Sequence, residues 1–500
     1  MNMARAAAIL ALMVVAGCTV GPNYVAPHAE APPQWLGQPG VPSQSVPDEL
    51  WWAGFHDPQL SRLIHEALTR NSDLAAAEKR IEAARDQIRI EAAASSPVIG
   101  LGGIAENRRQ SRTIQWPPKA SAGDYRYWSL GFDGSWELDL FGTTRRRTEA
   151  ARASQAEMAA ERDGLRLRLL AEVGADYVTW CATFARLQVA KDRIALVARQ
   201  RDLVTHEWHA GARGHADVDQ AEADLAAAQQ TVPPLLAQAT EMKNALAVLT
   251  ATTPEAMQLT PRADFSIPLP PARPPSLPSE VLTRRPDIQA ATFRYARDNA
   301  EIGVAVASLY PKVAIPLDFG VTTSTLHQAF TTASLLWQLG VTAGETIYAG
   351  GRRTAQIDAA RLQRDAAWLG YRQAVLNALR DVEDRLATIV DTENRLSSVD
   401  LELHAAQEKL LHAQRQYRDG EVDLVPYLVQ GITSDRIHDQ GLTTQQETVL
   451  ASIALYKALG GGWRPVLSGG SDSAITDIRD ANGSPQRKFR VVRRPDNENP

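Results

Sequence analysis

Cysteine is almost missing from this chain: Cys18 and Cys181 are the only two in 500 residues. That excludes a disulfide scaffold and a four-cysteine zinc site. There is no excess of positive charge either, since 53 Lys and Arg against 58 Asp and Glu leave a formal net charge of −5. The basic stripe of a nucleic-acid binder is therefore absent. Long apolar runs are lacking as well. The longest, Ala6 to Gly17, falls short of the roughly 18–20 residues of a spanning helix. With a mean hydropathy of −0.26 and 22% charged residues, a polytopic helical membrane protein is excluded. A β-barrel is not, because its lumen-facing residues dilute the apolar signal. No nucleotide-binding loop, GxSxG or HExxH occurs, so the expectation is no enzyme, no cofactor and no resident metal.

What is present begins with the N-terminus. Arg5 precedes a short apolar region, Ala6 to Val15, that ends in Val15-Ala16-Gly17-Cys18. Length and flanks fit an export signal, residues 1–17, rather than an anchor. Small residues directly before a cysteine form a lipobox, after which Cys18 would carry an S-diacylglycerol and an N-acyl chain. Such chains anchor a segment at about 0.8 kcal/mol per buried CH2. The alternative is an ordinary cleaved signal with an incidental cysteine. Thr19, where an acid would hold the protein at the inner membrane, favours outer-membrane sorting. Cys181 falls in a helical pattern and reads as a small buried hydrophobe.

The chain repeats itself. Residues 68–97 align without gaps on 282–311, with ten identities in thirty positions, among them Arg70/Arg284, Asp73/Asp287, Arg80/Arg294 and Pro97/Pro311. Further on the offset falls from 214 to 209, pairing Gly142 with Gly351, Gly211 with Gly420, and Ala245-Leu246 with Ala454-Leu455. Two tandem copies of about 210 residues follow, 61–250 and 281–463. A linker at 251–280 joins them, with prolines at 254, 261, 268, 270, 271, 274, 275 and 278. Such a segment suits an extended surface strap and no helix. An extended stretch, 18–60, precedes the first copy. Beyond 463 a tail rich in Gly, Ser, Asp and Arg is expected to be disordered.

Each copy reads as helix, two strands, a very long helix, a turn and a return helix. From Trp128 to Leu140 one face carries Trp128, Leu130, Phe132, Trp136, Leu138 and Leu140, the other Asp133, Glu137 and Asp139. That period of 2 fits a barrel strand with lipid outside and water inside, or a half-buried sheet of a soluble domain. Strands are predicted at about 98–110, 125–141, 312–325 and 334–347, and Asp133, Glu137 and Asp139 as lumen-facing acids. Proline-free stretches make 143–209 and 352–417 helices of about 65 residues, near 100 Å long. Each return helix covers half that length, and the first helix of the copy, about 61–94 or 281–309, covers the rest. Pro233-Pro234 should weaken or kink the first return helix. Four strands cannot close a barrel. The edges must pair with further copies, giving eight, twelve or sixteen strands for two, three or four subunits.

These residues resemble a known family, the TolC-like outer membrane factors, and within it the lipoprotein (NodT-type) efflux channels. The resemblance covers about 18–465. It is carried by Cys18-Thr19-Val20-Gly21-Pro22-Asn23-Tyr24, Trp136-Glu137-Leu138-Asp139-Leu140-Phe141-Gly142 and Ala454-Leu455-Tyr456-Lys457-Ala458-Leu459-Gly460-Gly461-Gly462-Trp463. It implies an α+β membrane protein. Three chains of it would form a twelve-stranded outer-membrane β-barrel continuous with a twelve-helix periplasmic α-barrel. The implied partners are outer-membrane lipid, a periplasmic adaptor protein and an inner-membrane resistance-nodulation-division transporter, and the implied function is a passive exit duct for drugs or other small toxic compounds. A type I protein-secretion or heavy-metal duct would share the fold. The family closes its periplasmic end with charged side chains and an apolar ring. That implies gate candidates at the hairpin tips: Asp217 on the first, and Tyr417, Arg418, Asp419, Asp423, Leu424 and Val425 on the second. Arg418 is expected to pair with acids of a neighbouring hairpin. Where relatives often read LDAQ after the second turn, this chain has Leu428-Val429-Gln430 and loses that acid. His206 and His209, three apart near the first tip, lack a third metal ligand in sequence and read as solvated.

Overall fold

The computed structural model describes residues 19–28, 32–36, 50–109, 124–270 and 278–461. Cys18, the signal region and the tail, and with them the expectations of lipidation and tail disorder, lie outside the described residues.

A 3-10 turn, Trp51–Phe55, leads into α1 (Pro58–Arg70) and α2 (Ser72–Ala93). Strands β1 (Val98–Arg109) and β2 (Asp124–Leu138) follow, then the long helix α3 (Thr143–His209). The chain returns through α4 (His215–Gln229) and α5 (Val232–Leu249). The second copy is α6 (Pro278–Arg284), α7 (Pro286–Ala307), β3 (Lys312–Thr323), β4 (Leu335–Leu339), β5 (Thr342–Gly344), α8 (Arg352–Arg418) and α9 (Leu424–Ala458). Helices α3 and α8 are both 67 residues long, about 100 Å at 1.5 Å per residue. Each starts after a glycine in the left-handed region, Gly142 at φ +81° and Gly351 at φ +79°. No helix among the described residues is long and apolar enough to cross a membrane.

Three expectations need correction. The opening helix of each copy is two helices. Asn71 breaks the first: its side-chain oxygen accepts from the backbone N–H of Asp73 and Leu74, capping α2, and its amide donates to Leu249 O. Pro286, which bars Arg285 from helical backbone, breaks the second. The fourth strand, expected to run to Ile347, stops at Gly344 and is interrupted at Gly340. β4 and β5 pair with β3 in one continuous register, Leu317 with Leu339 and Lys312 with Gly344. Pro316 sits opposite the gap. It accepts from Gly340 N but has no N–H to return, so the ladder opens there. The linker, finally, is not a surface strap throughout, because Met257 and Ile267 are buried in the main core. At Pro233-Pro234 the return helix is divided into α4 and α5, whereas its counterpart α9 runs unbroken for 35 residues.

The helices pack in an order set by these lengths. α3 packs on α2, α4 and α5 of its own repeat and on α7 and α9 of the other, while α8 packs chiefly on α7 and α9, with α6 and Trp35 against its middle. The sheet keeps a matching order, β1-β2-β3-β4, all antiparallel. The largest core forms where the copies meet. Trp51, Leu60, Leu63 and Ile64 pack on Leu170, Val173 and Tyr177 of α3, on Leu246 of α5, and on Val449 and Ile453 of α9. Cys181 is buried here as a small hydrophobe, and burial pushes its thiol up to about 12.

One carboxylate ties this core together. Asp57 Oδ1 accepts from the N–H groups of Gln59 and Leu60 at 2.9 and 3.1 Å, capping α1. Its Oδ2 accepts from Tyr177 Oη at 2.9 Å and from Arg262 at 3.0 Å. The cap and the charged hydrogen bonds vanish together in Asp57→Ala, leaving the buried Tyr177 hydroxyl without its acceptor. We expect a loss of about 3 kcal/mol, measured as a lowered midpoint of denaturant unfolding in detergent.

Candidate functional site: the sheet face and the hairpin tips

The sheet separates charge from apolar surface by register. Asp133 of β2 lies opposite Gly100 of β1 and Asp318 of β3. A Cβ at Gly100 would stand 3.0 Å from an Asp133 carboxylate oxygen, so glycine makes room for that side chain. Two carboxylates facing each other across a ladder repel and are tolerable only where water solvates them. Glu137 shares this face and approaches Lys312 at 3.6 Å, with both side chains at least half exposed. The opposite face carries Leu130, Phe132, Phe319 and Trp337, which are 49–70% exposed although large and apolar. Nothing among the described residues covers them. Asp318 was legible in the alternation of Val313 to Val321 but was not singled out.

Asp139 departs from its expected place. β2 ends at Leu138, and the Asp139 carboxylate turns to the start of α3. There it accepts from the N–H groups of Thr144 and Arg145, each at 3.0 Å, and pairs with the Arg145 guanidinium at 3.3 Å. The positive end of a helix competes better for a carboxylate than a water-filled face does.

At the far ends of α3 and α8 both hairpins turn by the same motif. Gly211 N donates to Trp208 O and Ala212 N to Glu207 O; Gly420 N donates to Tyr417 O and Glu421 N to Gln416 O. Both glycines adopt positive φ, +77° and +74°, and the paired bonds satisfy carbonyls a helix end would leave free. On the first tip Asp217 is spent on structure, its carboxylate accepting from Gly214 N at 3.1 Å. Arg213 pairs with Glu207. Trp208 packs edge-on against His215, ring centroids 5.1 Å apart, and tilted on His209 at 4.5 Å. This aromatic group was not anticipated, though Trp208 flanked by His206 and His209 signals it. On the second tip Tyr417 stacks on Tyr427 at 5.9 Å and 6°. Asp419 and Asp423 end and begin their helices by backbone alone, and Leu424 and Val425 are half-buried. Arg418 is exposed and makes no ion pair within the chain among the described residues. His206 and His209 are exposed, and the described residues contain no cluster of three or more potential metal ligands.

Two long hairpins on a sheet with one wet and one apolar face are the parts of a membrane duct, and comparison with known proteins agrees. The family model "Outer membrane efflux protein" matches residues 63–252 and 277–461. The chain belongs to that family. It is 28% identical over 464 residues, 90% of its length, to 94% of the antibiotic efflux pump outer membrane protein ArpC of Pseudomonas putida. To the cation efflux system protein CusC of Escherichia coli it is 26% identical over 458 residues, 90% of this chain and 97% of that one. The solved outer-membrane channel OprN superposes with a TM-score of 0.80 at 30% identity, covering 90% of this chain and all of that one. The protein is an outer-membrane efflux channel.

In this channel the packing of α9 on α3 holds an acid poorly. Asp435 on α9 is half-buried with Oδ2 unpartnered. Burial first, and then the charge of Asp192, push its carboxyl up to about 6, while Arg193 pulls it down. Being raised on folding, it binds a proton in the native chain between about pH 4 and pH 6 that the unfolded chain releases. Stability from this group is therefore greatest below pH 4 and is lost as the pH rises through 6. Asp435→Asn should stabilise the channel by about 1–2 kcal/mol at pH 7.5 and flatten the dependence between pH 4 and 7. Thermal unfolding of both proteins across that range measures it.

Proposed function

We propose that three copies of this chain form a duct: a twelve-stranded barrel in the outer membrane continuous with a twelve-helix periplasmic tube. Small toxic compounds leave through it, driven by an inner-membrane resistance-nodulation-division transporter that docks through a periplasmic adaptor. The chain itself supplies no energy. Because β4 and β5 share one register, each copy offers four strand widths with open edges at β1 and at β4 and β5. The number three comes from the family resemblance.

One observation carries the reading. On α8 apolar side chains recur every seven residues and stay open, Leu362 69% exposed, Leu369 58% and Leu376 53%; Glu383 takes the next position and Val390, 42% exposed, the one after it. One repeat earlier, the matching positions of α3 are Ala153, which is half-buried, and Ala160, Leu167 and Cys181, which are buried. Helices α7 and α9 of the second repeat lie along α3. By the same relation, α2, α4 and α5 of a second copy belong against α8. A seven-residue apolar period is a seam for another helix. A trough of about 1230 Å³ bounded by both edge helices, through Ala77 and Arg80 of α2 and Gln363 and Tyr371 of α8, supplies a concave wall for the duct.

Lipid on Cys18 would add an anchor beside the barrel, and Asp133, Glu137 and Asp318 would line an acidic mouth favouring cations. At the periplasmic end the open guanidinium of Arg418 is available to acids of an adjoining hairpin, Asp419 and Asp423 among them, with Asp217 behind the first tip. Leu424, Val425 and Tyr417 supply apolar bulk.

Glutamate at Leu369 and Leu376 together should abolish the heat-modifiable oligomer on gels while helical circular dichroism persists; an oligomer that survives both acids would sink the seam. Arg418→Ala should raise single-channel conductance at least twofold and admit vancomycin to cells. Unchanged conductance would remove Arg418 from the gate.

A further inference from the structure

The N-terminal segment is gripped by side chains the duct itself does not need. Arg146, in the first turn of α3, is 3% exposed, and its guanidinium faces main-chain oxygens. Nε donates to Val20 O at 3.1 Å, and Nη2 to Gly21 O at 3.3 Å and Asn23 Oδ1 at 2.9 Å. Nη1 pairs with Glu149 at 2.7 Å. From the other repeat Asn299, equally buried, donates to Pro22 O at 3.1 Å. Val20 N closes the set on Phe141 O at 3.3 Å.

Glycines shape the groove. A Cβ at Gly21, whose φ is +88°, would lie 2.5 Å from Gly303 Cα; one at Gly303 would meet the Arg146 side chain at 2.7 Å; one at Gly142 would meet Thr19 at 2.8 Å. Backbone thus lies on backbone, and three successive carbonyls, of Val20, Gly21 and Pro22, are read together with the Asn23 side chain. Below, Tyr24 meets Tyr295 with ring centroids 6.0 Å apart. The contacts descend α7 from Gly303 through Asn299 to Tyr295, so the segment starts at the junction of sheet and helices.

We propose that Arg146, Asn299, Gly303 and Gly142 form an intramolecular docking site for the chain's own processed N-terminus, residues 19–23. A buried guanidinium that donates to two peptide oxygens and to the Asn23 side chain, with its remaining charge met by Glu149, is a receptor for an extended, glycine-containing strand. Its two sides come from different repeats, so the docked segment staples the first copy to the second beneath the sheet. Docking begins one residue after Cys18. Insofar as it deepens the lipid-anchor reading, it sets the level at which acyl chains meet the bilayer, at the rim of the sheet.

The test is hydrogen–deuterium exchange on the full-length oligomer in detergent, comparing the parent with Arg146→Ala, Arg146→Lys and Gly21→Val. The last alters only the segment and crowds it against Gly303. Amides of residues 20–24 should exchange at least tenfold faster in Arg146→Ala and in Gly21→Val, and to an intermediate extent in Arg146→Lys, while α8 and α9 stay protected. Amides 20–24 that remain as slow as in the parent in either Arg146→Ala or Gly21→Val would overturn the docking site. If Arg146→Ala does not assemble, Gly21→Val decides alone. The mass of the N-terminal peptide separates the two readings: an unacylated Cys18 with a protected segment removes the lipid and keeps the site, whereas an acylated Cys18 with an unprotected segment removes the site and keeps the lipid.

Discussion

Backbone hydrogen bonds at two sheet edges are what one chain of this protein cannot complete. Four antiparallel strand widths leave β1 and the β4 and β5 pair with open ladders, and the apolar face of the same sheet is uncovered. In water each fault invites aggregation; in lipid the apolar face is satisfied and only closure can answer the edges. The helices show the same incompleteness. α3 packs on helices of both repeats, and its twin α8 chiefly on those of its own. Repetition explains it, because two copies in tandem always leave one outer face per chain without its partner.

Within the chain, polar side chains tie together the junctions of its elements. Asp139 is drawn from the strand to the start of α3. Asp57 holds α1, α3 and the linker at one point. Arg146 and Asn299 hold the N-terminal segment across the repeats. Asp57, Arg146 and Asn299 are buried and reach elements distant in sequence, whereas Asp139 is held by the helix that directly follows it. The long hairpins also pair charges across their seams, Arg186 of α3 with Asp439 of α9 and Arg395 of α8 with Glu447 of α9, and their tips close on backbone bonds at Gly211 and Gly420.

Much of this was legible beforehand because repetition and period survive in one dimension. The offset of 209 residues predicts α8 from α3 and Gly420 from Gly211. The alternation of Trp128 to Leu138 sorts wet from apolar face. What escaped were competitions between neighbours. Asp139 continues the period of 2 yet is claimed by helix N–H groups. Pro316 breaks the opposing strand through a donor it lacks. Asp217, read as a gate acid, serves first as a cap. The Trp208 and His215 contact joins two helices across a turn, which no single helical period reports.

The sequence by itself therefore determined the two copies, the lengths of their long helices, the faces of their strands and the family. All of these rest on local propensity and spacing, which need no knowledge of what lies opposite. Tertiary structure alone decided which polar groups are occupied and which stand open. It showed Leu369 exposed where Ala160 is buried, and Arg146 turned toward residues about 125 positions away. The physical reason is that a side chain's partner is chosen by what packing brings within hydrogen-bond or van der Waals reach, and that neighbour can come from the other copy or from the segment that precedes both.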